Sequence, residues 1–428
     1  MWRRAFLIGL MSAVILWISR VEIPLPYPAH HFIFKDFDPA LLPTNPMPLE
    51  GPYAPNEILR KGHRLFDGVI QSSEHVAISP EGNLTLIDKF GYVYEAAPAT
   101  SVPGAVYPEE WAPDLPPVAY IGPAGRPLGF HHDGAGNLII ADALKGLLKL
   151  ERGTRRLELL TSRVSPDAAV APGSPINYVN ALDIAEDGTI YFSSSQARLG
   201  THNPRIYVSV VPMYPGTLCD VPVGLSLLKP AFYDTFRSYL LGLYGGSISG
   251  RLLKYDPSTR RTEQLVSGLW FANGVALSAD ESFVVVVETT RVRVHRHWLK
   301  GPRAGTTEVL IDRLPGFPDG IARASDGNFW VALVAPVTSV PKLLRFKLAR
   351  VLLANLPTWI KPPVSRWGAV LKISPDGKPL QLLMDPDGSK IGFISAVTEH
   401  DGKLFFGNVK EDYVSYFDLR DASPLKQQ

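Results

Sequence analysis

The chain has 428 residues, 46% of them hydrophobic, and a formal net charge of +2 with no long single-sign run. It can therefore bury a large core, and it lacks the basic excess that a nucleic-acid partner requires. Its 36 glycines and 39 prolines imply many turns and short strands without reaching the bias of a low-complexity chain. The one cysteine, Cys219, excludes an intramolecular disulfide and lies in no motif that marks a nucleophile.

Ala5 to Ser19 is an apolar run preceded by Arg3 and Arg4. It is short for a span on its own but extendable through Tyr27. No small-x-small cleavage signal follows it, so residues 1–27 are predicted to be a retained signal-anchor rather than a cleaved leader. The positive-inside rule puts the N-terminus in the cytoplasm and the rest of the chain on the periplasmic, lumenal or extracellular side. Residues 28–60 are proline-rich and read as an extended spacer.

From about residue 61 to 422 one unit recurs: a short apolar strand, a turn, and a β-branched strand. The copies are HVAISPEGNLTLID, GFHHDGAGNLIIAD, ALDIAEDGTIYFSS, ANGVALSADESFVVVVETT, GIARASDGNFWVAL and AVTEHDGKLFFG. Six copies that cannot bury both faces alone predict an all-β, six-bladed propeller, with a strand near His63 to Val69 completing the last blade. Two excess segments interrupt the spacing, at about 199–245 and 336–366. The second carries Lys342, Arg345, Lys347 and Arg350 among apolar residues. Residues 342–356 are thus predicted as a basic amphipathic helix, packed on the propeller or lying on a membrane surface.

Counting back eight residues from each turn position gives Glu74, Leu128, Asn180, Asn273, Asp319 and Ile394. If the copies are equivalent blades, the four oxygen-bearing side chains converge on the axis, although Glu74 and Asp319 are 245 residues apart. Two carboxylates and two amides make a hard site suited to Ca²⁺ and poorly suited to Zn²⁺. Asn-Gly and Asp-Gly are also ordinary turn dipeptides, so each pair alone has a structural explanation; the shared offset is what favours the metal. Arg126, Tyr178, Trp270 and Phe317 lie within three residues of this position and are candidates to line the pocket mouth. His75, His131 and His132 are candidate bases near the channel, or side chains packed between blades.

GRPLGF, GRLLKYDPSTRRTEQL, FANGVALSADESFVVVVETTRVRVHRHWLKGPRAGTTEVL, LPGFPDGIARASDGNFWVAL and EHDGKLFFG resemble the strictosidine synthase-like family, which includes the adipocyte plasma membrane-associated proteins. More distantly the chain is similar to gluconolactonase, diisopropyl fluorophosphatase and paraoxonase propellers. The resemblance implies six blades and, in the hydrolase branch, a channel calcium held at the positions of Glu74, Asn180, Asn273 and Asp319. Ser395 stands where strictosidine synthases carry a catalytic glutamate, so the condensation of an amine with an aldehyde loses its proton-transfer group. The expected activity is hydrolysis of a lactone, aryl ester or organophosphate-like small molecule by a membrane-anchored enzyme. Ca²⁺ would polarise the substrate oxygen, and Asp319 and Glu74 would be the catalytic carboxylates, Asp319 ranking first by resemblance. The alternatives are a carbon–nitrogen lyase and a non-catalytic scaffold.

Overall fold

A computed structural model describes residues 34–97, 115–122, 125–196, 208–210, 231–338, 340–356 and 363–422. The predicted anchor and Cys219 lie outside them. No helix among the described residues is long and apolar enough to cross a membrane.

The β-branched and aromatic repeats form six four-stranded antiparallel sheets, the blades. Their inner strands are Ala77–Ile78, Pro127–His132, Val179–Ile184, Ala272–Leu277, Gly316–Arg323 and Ile394–His400. The run at Val284 to Val287 is buried throughout, within the second strand of blade 4, Phe283–Glu288. A separate hydrophobic cluster fills each interface between neighbouring blades. The ring closes as expected: His63–Leu65 pairs with Val414–Asp418 as the outer strand of blade 6, with Leu65 opposite Val414.

Each inner strand of blades 2 to 5 carries a β-bulge at the same place. Two residues on the inner strand face one on the second strand at 128–129, 180–181, 273–274 and 319–320. A bulge re-aims a side chain out of the alternating pleat. The residue after each channel position meets the next blade. A Cβ on Gly274 would lie 2.7 Å from Asp319 O and 2.5 Å from Ile321 N, and one on Gly320 would lie 2.6 Å from Ser395 O. The Asn-Gly and Asp-Gly pairs are therefore not turns. Glycine is needed there because backbones of adjacent blades cross at close range.

Both insertions join second and third strands, and they leave the propeller at the end where the inner strands begin. The first includes a short antiparallel pair, 208–210 with 231–233, and a helix, α1 (Thr235–Gly245). Asp234 caps α1 by accepting from Arg237 N, and Gly246 ends it in the left-handed region. In the second insertion the one predicted helix is instead two, α2 (Val340–Leu344) and α3 (Lys347–Asn355), with Phe346 extended between them. On one straight helix Leu344 and Arg350 would point about 120° apart. The break lets both turn inward, where both are buried.

From residue 34 the proline-rich stretch is packed along the propeller rather than spaced away from it. Lys35 N donates to Gly245 O (2.9 Å) and Met47 N to Arg313 O (2.7 Å). The Asn56 side chain donates to Leu382 O (2.8 Å) and accepts from Met384 N (2.9 Å). Tyr53 and Leu59 are buried in the clusters between blades 4 and 5 and between blades 5 and 6. Those apolar side chains give the stretch surface to bury that a solvated spacer would lack.

Candidate metal centre at the channel mouth

The bulges set Asn180, Asn273 and Asp319 at the start of the inner strands, all three nearly inaccessible to solvent. Asn273 Nδ2 donates to Asp319 Oδ1 and to Thr289 Oγ1 (3.2 Å). Asn180 Nδ2 donates to Ser195 Oγ (3.0 Å), which in turn donates to Ala272 O (2.6 Å) across to blade 4. Each amide spends its nitrogen on a neighbouring side chain, and no hydrogen bond to either Oδ1 is formed among the described residues.

Glu74 precedes the blade 1 inner strand, and one of its oxygens lies 3.4 Å from the buried Arg126 guanidinium, which also donates to Ser72 O (3.0 Å). Burial pushes the Glu74 carboxyl up, while Arg126 pulls it back. Asp319 is raised well above the ordinary carboxylate range, first by burial and then by the Glu74 charge, with the Asn273 hydrogen bond opposing. Asp319 thus lies close enough to Glu74 to feel its charge. Among the described residues no three Asp, Glu, His or Cys side chains are grouped to share a metal ion. A cation here would rest on amide as well as carboxylate oxygens. Two desolvated acids beside two amide oxygens fit Ca²⁺ and offer no thiolate to a softer metal.

The sixth position is Ser395, not Ile394, which is buried in the core between blades 5 and 6. Blade 6 turns through Asp401 and Gly402 alone, both with positive φ, whereas blade 5 uses residues 324–328. The count from the turn is thus one residue shorter in blade 6. Ser395 Oγ donates to Glu74 O (2.6 Å) and ties the last blade to the first at the ring. Leu128 is the one apolar member.

The predicted pocket residues separate. Arg126 is buried against Glu74 rather than standing at the mouth. Tyr178 lies beside the channel in a cluster with Leu128, Ala143 and Phe271, and its hydroxyl donates to Thr235 O (3.1 Å). Trp270 points outward beneath the inserted helices, edge-on to Phe37 (4.7 Å) and packed with Leu241, Tyr244 and Leu344. Phe317 packs toward the core between blades 4 and 5. His132 is bonded between blades to Thr85 (2.9 Å), while the His75 and His131 rings lie 4.8 Å apart. Burial depresses the pKa of both members of that pair, so both are neutral near pH 7.

Two aromatic residues at the mouth had gone unassigned. Phe271 takes a positive φ two residues before Asn273, as Tyr178 does before Asn180 and Phe393 before Ser395. Tyr239 of α1 packs edge-on to Phe271 (4.8 Å), and burial raises its hydroxyl, with the nearby Asp319 charge adding to the shift. Also unassigned were the polar residues ending second strands. Asp142 accepts from Arg126 N (3.0 Å), Glu288 from Trp270 N (2.6 Å), and Asn408 donates to Gly392 O (2.7 Å). Each fixes the approach to a channel position. Their signal was the acid or amide closing LIIAD, VVVVE and FFGN.

The fold and site define a six-bladed propeller whose channel mouth is ringed by oxygen donors and roofed by an inserted helix. Residues 231–302 match the strictosidine synthase family model. The chain is similar to protein strictosidine synthase-like 10 of Arabidopsis thaliana, with 36% identity over 323 residues, 72% of each protein. It is also similar to the adipocyte plasma membrane-associated protein of Homo sapiens, with 30% identity over 410 residues, 88% of this chain and 84% of that one. The chain belongs to the strictosidine synthase-like family. A solved gluconolactonase from Xanthomonas campestris is similar at a TM-score of 0.49 and 15% identity, over 81% of this chain and 85% of that one.

Proposed function

We propose that the protein is a membrane-anchored, calcium-dependent hydrolase of lactones or aryl esters, working at the ring of Glu74, Asn180, Asn273 and Asp319. The observation that carries this is a pair of carboxylates at the start of the inner strands, Asp319 buried against Asn273 and Glu74 largely buried against Arg126. Two desolvated acids at one end of a channel call for a cation. Bound Ca²⁺ would polarise the scissile carbonyl and stabilise the charge that develops on its oxygen. Asp319 keeps one oxygen clear of the Asn273 contact and is the group to take a proton from water or to attack the carbonyl carbon. Arg126 favours the ionised form of Glu74, whereas the Glu74 charge disfavours ionisation of Asp319. Phe271, Tyr178, Tyr239 and Leu128 give the mouth an apolar wall suited to an aryl or alkyl group. The plasma-membrane relatives and the Ala5–Ser19 run support the anchor.

A lyase of the strictosidine synthase kind is disfavoured, since Ser395 supplies no carboxyl and its hydroxyl is spent on Glu74 O. One observation favours a scaffold: Arg126 offsets part of the Glu74 charge without a metal. A panel of lactones, aryl esters and phosphotriesters, run with and without chelator beside Ca²⁺ calorimetry, separates the readings. Turnover lost on chelation and in Asp319→Asn supports hydrolysis. Calcium binding with no turnover leaves the scaffold, and absence of calcium binding overturns the metal site.

A further inference from the structure

We propose that the two short helices of blade 5 form a docking surface for an anionic membrane, so that the channel mouth opens at the bilayer. Leu343, Phe346, Leu348 and Leu352 are 52%, 52%, 71% and 48% exposed, four large apolar side chains within ten residues. Elsewhere among the described residues such side chains stand exposed singly or in pairs. Leu348 and Leu352 share a face of α3, one turn apart. The opposite face is already used: Arg350 and Ala354 are buried, and Arg350 Nη1 donates to Lys35 O and Tyr244 O (2.9 Å each). The outward leucines therefore contribute little to seating the helix.

Charge selects the occupant. Lys342, Arg345 and Lys347 flank the apolar spot, and residues 340–356 include no acid. Among the described residues Lys347 meets the exposed Asp36 (3.4 Å), and Arg345 lies over the Phe346 ring (4.5 Å). An apolar spot with a basic rim fits acyl chains beneath anionic headgroups.

The path of the chain points the same way. Phe34 and Phe37 pack in one cluster with Leu241 of α1 and Ala354 of α3. Residues 1–33, including the Ala5–Ser19 run, therefore join the propeller at this face. With the anchor proposed over residues 1–27, the six residues from 28 to 33 reach at most about 20 Å, and a tether of that length would hold the basic helices near the bilayer at high effective concentration. Because α3 packs on α1, and Tyr239 of α1 covers Phe271, the docked face is the face with the mouth. This inference does not depend on what the ring binds.

The test uses the full chain in vesicles. Leu348→Cys, in a Cys219→Ser background, carries an environment-sensitive fluorophore, and Leu159→Cys on the outer strand of blade 2 is the control. In vesicles of phosphatidylcholine and phosphatidylserine, label 348 should shift to the blue and be quenched by spin-labelled lipid. Label 159 should stay open to aqueous iodide. Lys342→Gln, Arg345→Gln and Lys347→Gln together should reduce the inserted fraction about tenfold or more, with the melting temperature unchanged. Equal iodide access at 348 and 159 overturns the proposal. So does insertion that is unchanged in pure phosphatidylcholine and in the triple variant. A shift that grows with protein concentration without lipid would assign the surface to a second copy of the chain and likewise overturn it.

Discussion

Replacing Gly274 with alanine adds one methyl group where blades 4 and 5 cross. The new Cβ would stand 2.5 Å from Ile321 N, 2.7 Å from Asp319 O and 2.7 Å from Gly320 C, all backbone atoms that cannot swing aside. Ordinary contact begins at 3.4 Å, so the two inner strands must part by about 0.9 Å. Overpacking of a tight core costs about 1–3 kcal/mol, and three simultaneous backbone conflicts place this variant at about 3 kcal/mol or above. The same displacement separates Asn273 from Asp319, so calcium affinity should fall together with stability. Gly153→Ala, whose Cβ meets nothing within 4 Å, is the control and should stay within about 0.5 kcal/mol of wild type. Urea unfolding gives the first quantity and calorimetric Ca²⁺ titration the second. A Gly274→Ala protein as stable as the control would show that the strands do not cross this closely, and the convergence of the ring would lose its geometric basis.

Asp319 and Glu74 have raised folded-state pKa values, so the metal-free native state holds more protons than the unfolded chain between the two pKa values. Their contribution is therefore greatest at low pH and lost as pH rises through the folded values. In chelator the melting temperature should fall with rising pH, and Asp319→Asn should flatten that slope in a thermal scan. With Ca²⁺ the slope should reverse. A hundredfold excess over the dissociation constant should add about 2.7 kcal/mol to the wild type and little to Asp319→Asn. Glu288→Gln weakens a buried carboxylate's hold on Arg293 (2.6 Å), His295 (2.7 Å) and Trp270 N; chemical denaturation should show a loss of about 3–5 kcal/mol. Trp270→Ala should loosen the inserted helices by about 3–5 kcal/mol with KM little changed once folded, whereas Phe271→Ala at the mouth should raise KM.

The six blades were legible because each repeat carries a turn residue in the left-handed region between apolar strands, and glycine or a tolerated substitute such as Glu281 marks it. The offset held in five blades, where the turn residue stands eight positions after the channel residue and where, in blades 2 to 5, the bulge recurs. It failed in blade 6 because a two-residue hairpin shortens the count, which makes Ser395 look like a neighbour of the site instead of a member. Trp270 and Phe271 are adjacent and chemically alike. Only the positive φ at Phe271 decides which faces the channel, and a non-glycine residue does not advertise such a conformation. Tyr239 and the burial of Arg350 depend on where an insertion and residues 34–37 land, contacts with no local pattern to betray them.

The strand His63–Leu65 is made well before its partner Val414–Asp418, with all five preceding blades between them. Glu74 lies a few residues beyond that strand and receives the Ser395 hydroxyl only when the two ends meet. A polypeptide interrupted before blade 6 thus has at most five walls and an open seam, and lacks the hydrogen bond that ties Glu74 to the last blade.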